Sequence, residues 1–184
     1  MSLPYGLLGL LSYGDSTGYE LTKMFADSLN NFWYAQASQI YRELDKMETK
    51  GWVYSFFVVQ EKRPNKRVYA ITDDGRNVLQ EWLESREVEF ERPREPFLMR
   101  IFFGAEAPES TMQLLEDCKN ICQLANQQYP LVIKETIERY AASLPDGKLK
   151  SLYWQMTLDF GIAQSEMVAK WADACIARLK EVND

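Results

Sequence analysis

The sequence predicts a mainly α-helical protein: an N-terminal unit in which helices are joined by one β-hairpin, and a C-terminal unit built of helices alone. Three observations predict it. The first 50 residues place apolar side chains at spacings of three and four. At 52–60 and 67–71 that period gives way to the aromatic and β-branched runs WVYSFFVVQ and RVYAI, with EKRPNK between them. Beyond a charged stretch from Arg86 to Pro96, which includes EVEFERPREP, the helical period returns and persists to the end.

The first helix is expected over 3–12, where Leu3, Leu7, Leu10 and Leu11 share a side, and GDST at 14–17 ends it while supplying cap candidates for the next. A second helix over 17–29 carries Leu21, Met24, Phe25 and Leu29. A third over 36–50 carries Ile40, Leu44 and Met47 and stops at Gly51, a residue that tolerates the left-handed backbone of a helix end. The hairpin follows, and Thr72 or Asp73 starts a fourth helix with Val78, Leu79, Trp82 and Leu83. Helix, helix, helix, hairpin, helix is the order of a winged helix-turn-helix with a two-stranded β wing.

The C-terminal part is expected to hold a short helix through FLMRIFFG and a long one starting at 108–110, with Leu114, Cys118, Ile121 and Ala125 on one face and Pro130 kinking or splitting it before about Ser143. LPDG at 144–147 is a turn. The final helix, to about 181, lines up Leu152, Met156, Phe160, Ala163, Met167, Trp171 and Cys175. A helix of about 34 residues is roughly 50 Å long, and two such helices carry more apolar surface than the short N-terminal unit covers. A second copy of the chain is the usual solution. The expected organisation is thus 1–85 as the winged-helix unit, 86–96 as linker and 97–184 as an all-helical dimerisation domain.

Composition narrows the chemistry. With 184 residues, 46% hydrophobic, the chain can bury an ordinary core. No apolar run reaches the roughly 18 to 20 residues of a membrane span. MSLPYGLLGLLSYG has neither a basic leader nor a small-residue cleavage site, so the expected location is the cytoplasm, away from membranes. Histidine is absent, which excludes Ser-His, Cys-His and His-metal sites. Cys118 and Cys122 stand four apart, a spacing met more often in helix packing than in metal or redox motifs. GLLGLLSYG lacks phosphate-loop spacing. No enzyme, catalytic residue, cofactor or metal is expected.

The formal net charge is -6, yet within 36–67 seven bases oppose four acids. On a helical wheel Gln39, Arg42, Lys46 and Lys50 share one side of the third helix, away from Ile40, Leu44 and Met47. Gln36, Ser38 and Gln39 occupy the first turn, where helix-turn-helix proteins place base-reading side chains. Glu43, Asp45 and Glu48 lower the charge of the same helix. The hairpin adds Lys62, Arg63, Lys66 and Arg67 around Pro64-Asn65, at what the sequence suggests is an exposed tip. Any one such stretch is more often a solvated face; the combination points to phosphate.

The stretches LLGLLSYGDSTGYEL, QIYRELDKMETKGWV and RPNKRVYAITDDGRNVLQEWL, in that order, resemble the signatures of the PadR family of bacterial transcriptional regulators. The part from REPFLMRIFFG onward resembles the helical C-terminal domain of its longer, AphA-like members. The resemblance implies a homodimeric repressor that binds a pseudo-palindromic operator in double-stranded DNA and is released by a small aromatic or hydrophobic effector. Carried over by motif, Gln39, Tyr41 and Arg42 meet DNA, Tyr19 lies near the backbone, and Lys62 to Arg67, Asn65 included, form the wing. Trp154, Trp171, Phe97 and Phe102 are the aromatics to watch for an effector, although core or dimer packing is the more frequent use of each; no effector residue is assigned. The competing reading is a winged-helix protein–protein interaction module without sequence-specific DNA binding.

Overall fold

The computed structural model describes residues 2–59, 65–86 and 95–183, and the chain divides into two compact units, 1–88 and 89–184.

In the first unit, α1 (Leu3–Leu11), α2 (Gly18–Ser28) and α3 (Ala37–Thr49) pack around one core, followed by β2 (Val53–Val58), β3 (Lys66–Ile71) and α4 (Asp73–Glu84). The core is the set that the helical spacing singles out: Leu7, Leu8, Leu11, Leu21, Phe25, Ile40, Leu44 and Met47 are almost fully buried, with Val53, Tyr69 and Ile71 closing it from the sheet. Each such side chain withdrawn from water contributes roughly 1.5–3 kcal/mol, so this layer holds the unit together. Tyr5 of α1 stacks on Trp82 of α4 at 4.7 Å between ring centroids. Leu83, expected on the packed face of α4, is exposed.

Caps fix where each helix begins. Thr17 and Glu20 form a capping box at α2: the Thr17 N–H donates to Glu20 Oε2 at 2.8 Å and the Glu20 N–H donates to Thr17 Oγ1 at 3.1 Å. Gly51 ends α3 with φ +75°, a conformation that favours glycine. Thr72 caps α4, accepting from the Gly75 N–H at 3.0 Å.

The sheet has three antiparallel strands, not two. A two-residue strand, β1 (Ser16–Thr17), pairs with β3 opposite Tyr69 and Val68, giving the order β1-β3-β2. Two residues are too short to show a period of two. The extended backbone that Thr17 adopts as the cap of α2, with ψ 158°, brings it alongside β3.

In the second unit, α5 (Pro96–Phe102) leads into the two long helices α6 (Pro108–Ala141) and α7 (Gly147–Asn183). Helix α6 runs through Pro130 without being split. Its packed face is centred on Leu115, which clusters with Ala172 and Ile176 of α7, whereas Ile121 of the expected row is exposed. Lys119 Nζ on α6 bonds Asp173 Oδ1 on α7 at 2.5 Å. Along the row expected on α7, Trp171 and Cys175 join Phe97 and Ile101 around the small core. Leu152, Met156, Phe160 and Met167 instead face outward. The Cys118 thiol is pushed up by burial and by its neighbour Cys122, which makes it less reactive.

Candidate nucleic-acid interface

Burying Ile40, Leu44 and Met47 turns the opposite side of α3 to solvent. Gln36, Ser38, Gln39, Arg42 and Lys46 are all exposed there. Gln39 does more than present an amide: its Oε1 accepts from the Gln36 N–H at 2.9 Å and so closes the N-terminus of α3. Arg42 Nε donates to the Ser38 carbonyl one turn back at 3.2 Å, which lays the guanidinium along the exposed face. Lys46 Nζ lies 3.3 Å from Glu43 Oε2.

The start of α2, the exposed flank of α3 and β3 enclose an open concavity of about 540 Å³, whose lining includes Tyr19, Glu20, Tyr41, Asp45, Lys66 and Arg67. Four residues drawn from three separate sequence stretches, Tyr19, Tyr41, Lys66 and Arg67, thus meet on one surface. Tyr19 is strongly exposed and Tyr41 partly so. Gly18 permits this arrangement, because the Tyr41 ring occupies the place of a side chain at that position. Lys66 Nζ stands 3.9 Å from Glu20 Oε1. The carboxyl of Glu20 is held below its ordinary value, chiefly by the Thr17 N–H and hydroxyl, with Lys66 adding to the effect.

The cations differ in how freely they can meet a ligand. Lys46 and Lys66 are well exposed and their pairs are loose; such surface pairs contribute about 0–1 kcal/mol, so a phosphate can displace the carboxylate. Arg67 is different. It lies within β3 opposite Phe57 rather than at the tip, and its guanidinium bonds Glu48 Oε2 at 2.5 Å and Ser55 Oγ at 3.0 Å. The expectation of an exposed Arg67 is corrected by these partners, which lie 12 and 19 residues away in sequence. Beneath it the buried Tyr69 hydroxyl is pushed up by desolvation and stays neutral. Asn65 is exposed just before β3, while Lys62 and Arg63 lie outside the described residues. Phe32 and Tyr34, exposed just before α3, were not singled out by the sequence pattern, since a local aromatic run reads equally as core.

Among the described residues no group of three or more His, Cys, Asp or Glu is placed to hold a metal, and no helix is long and apolar enough to cross a membrane.

Comparison with known proteins bears on the two units separately. Residues 7–81 match the transcriptional regulator PadR-like family, and residues 93–180 match the virulence activator alpha C-terminal domain. The negative transcriptional regulator PadR of Bacillus subtilis is 35% identical over 101 residues, which are 55% of this chain and 56% of that protein. The chain spans about half the length of the curated relatives it matches. Among solved structures, B. subtilis PadR in complex with operator DNA superposes with a TM-score of 0.80 at 24% identity, covering 97% of both chains, a likeness of fold. The Vibrio cholerae virulence activator AphA superposes with a TM-score of 0.73 at 29% identity, covering 98% of this chain and 99% of the other.

Proposed function

We propose that this chain, whose residues 7–81 match the PadR-like family and 93–180 the virulence activator alpha C-terminal domain, is a transcriptional regulator that binds double-stranded DNA as a homodimer and represses its target promoter. The observation that carries the reading is the concavity in which Tyr41 of α3 meets Lys66 of β3 and Tyr19 of α2, on the same helix that exposes Gln36, Ser38, Arg42 and Lys46. Helix α3 is the recognition helix of this reading. Its width and polar face suit a major groove. Lys46, Lys66 and, in the wing, Lys62 and Arg63 neutralise phosphates on either side, and Tyr19 and Tyr41 offer hydroxyls to the backbone between them.

The homodimer is supported by the row Leu149, Leu152, Met156, Phe160 and Met167 on α7, exposed at spacings of three, four, four and seven. Covering such a row with its own copy gives the two-fold symmetry that a pseudo-palindromic operator requires, with half-sites about one turn, roughly 34 Å, apart. Residues 1–85 then serve as the DNA-binding domain, 86–96 as the linker and 97–184 as the dimerisation domain. Release by a small aromatic or hydrophobic effector completes the reading, and titrating aromatic acids into the protein–duplex complex tests that part.

The test of the whole is selection from a random duplex pool at low salt. An enriched pair of related half-sites supports the reading. No enrichment overturns it in favour of a protein–protein interaction module, in which the basic wing meets an acidic partner.

A further inference from the structure

Arg67 Nη2 bonds Glu48 Oε2 at 2.5 Å, Arg67 Nε donates to Ser55 Oγ at 3.0 Å, and the Ser55 hydroxyl donates to Glu48 Oε1 at 2.6 Å. The three side chains close a ring that joins the end of α3 to both strands of the hairpin. Register explains why they meet. Ser55 pairs with Tyr69, two residues on from Arg67, so Ser55 and Arg67 lie on one face of the ladder, and the remaining edge of the guanidinium faces Asp45 with Nη1 3.8 Å from Oδ1. The guanidinium also sits over the buried Tyr69 ring, 4.9 Å from its centroid. Its nitrogens are therefore directed to partners within the unit, unlike the loosely paired Lys46 and Lys66.

We propose that Glu48, Ser55 and Arg67 are positioning residues that set the angle of the wing against α3, and that Arg67 supports DNA binding through this ring instead of through phosphate. The proposal rests on the DNA-binding reading above. It gives the acidic residues of α3 a role: Glu48 is present to hold Arg67, so removing its negative charge weakens binding to a polyanion.

That reversal of sign is measurable. Fluorescence anisotropy of the full chain on its selected duplex, across a salt series and below the unfolding temperature of every variant, compares Glu48→Gln, Arg67→Glu and the exchanged pair Glu48→Arg with Arg67→Glu. Glu48→Gln is expected to weaken binding about tenfold, the worth of one charge-assisted hydrogen bond, with an unchanged salt slope. The exchanged pair is expected to recover most of the affinity that Arg67→Glu loses, although position 67 then carries an acid. Equal or tighter binding by Glu48→Gln overturns the proposal. So does a salt slope lowered by about one without recovery in the exchanged pair, the signature of a phosphate contact. If the unaltered chain binds no duplex at low salt, it is the DNA reading that fails. The ring is then judged by a thermal-unfolding double-mutant cycle with Glu48→Gln and Arg67→Met, where non-additive losses keep it and additive losses overturn it.

Discussion

The aromatic ring of Tyr41 lies so close over Gly18 that a β-carbon there would stand 2.4 Å from Cε1 and 2.9 Å from Cζ. This contact seats α3 on the first turn of α2 and holds the Tyr41 hydroxyl at the edge of the candidate interface. Helix propensity favours alanine over glycine by up to about 1 kcal/mol, and the atoms in the way are the far end of the exposed Tyr41 side chain, which can swing aside. Gly18→Ala is therefore expected to leave thermal stability little changed and to weaken duplex binding, because the Tyr41 ring must leave its place. Unchanged duplex affinity contradicts this placement of Tyr41.

Gly75 is a stricter case. A β-carbon there would meet the Trp52 carbonyl oxygen at 2.1 Å, and that oxygen accepts from the Thr72 N–H at 3.0 Å, so backbone rather than a flexible side chain would have to move. Gly75→Ala is expected to cost about 3 kcal/mol or more. Gly9, mid-helix with nothing within 4 Å of its would-be β-carbon, is the control, and Gly9→Ala is expected to stabilise by about 0.4–1 kcal/mol. Urea unfolding of both variants measures the contrast.

The Thr17–Glu20 capping box carries a pH signature. Because folding lowers the Glu20 carboxyl, its contribution is fully present above the ordinary carboxylate value of about 4.3 and fades as pH falls through the lower folded value. Glu20→Gln is expected to be less stable than the unaltered chain near neutrality, and the gap to close in acid. A gap independent of pH contradicts the assignment.

Phe160 and Met156 stand in the exposed row of α7. Phe160→Glu places a charge where the second copy is proposed to pack and is expected to shift the sedimentation mass from dimer to monomer. A mass that stays dimeric locates the interface elsewhere.

Much of this architecture was legible because it is local. The three-and-four spacing of Ile40, Leu44 and Met47 predicts the buried side of α3, and with it the polar side; Gly51 and Thr72 mark element ends by chemistry confined to one turn. What escaped depends on partners distant in sequence. The strand at Ser16–Thr17 exists because β3 lies beside it. Arg67 looks like a wing-tip cation until Glu48 and Ser55 are brought to it across the hairpin. The packed face of α6 is centred one residue beyond the expected row because α7 selects the side it meets, leaving Ile121 in solvent. Gln39 reads as a base-contacting amide, and its bond to the Gln36 N–H shows a capping role as well.

The central claim is that α3 and the wing grip a DNA duplex through Arg42 and Lys66. Affinity for the selected duplex, measured against salt for the unaltered chain, Arg42→Ala and Lys66→Ala, tests it most directly. The account predicts weaker binding by both variants and, for Lys66→Ala, a salt slope reduced by about one, the equivalent of one lost phosphate contact. Affinity and slope unchanged in both variants would contradict it.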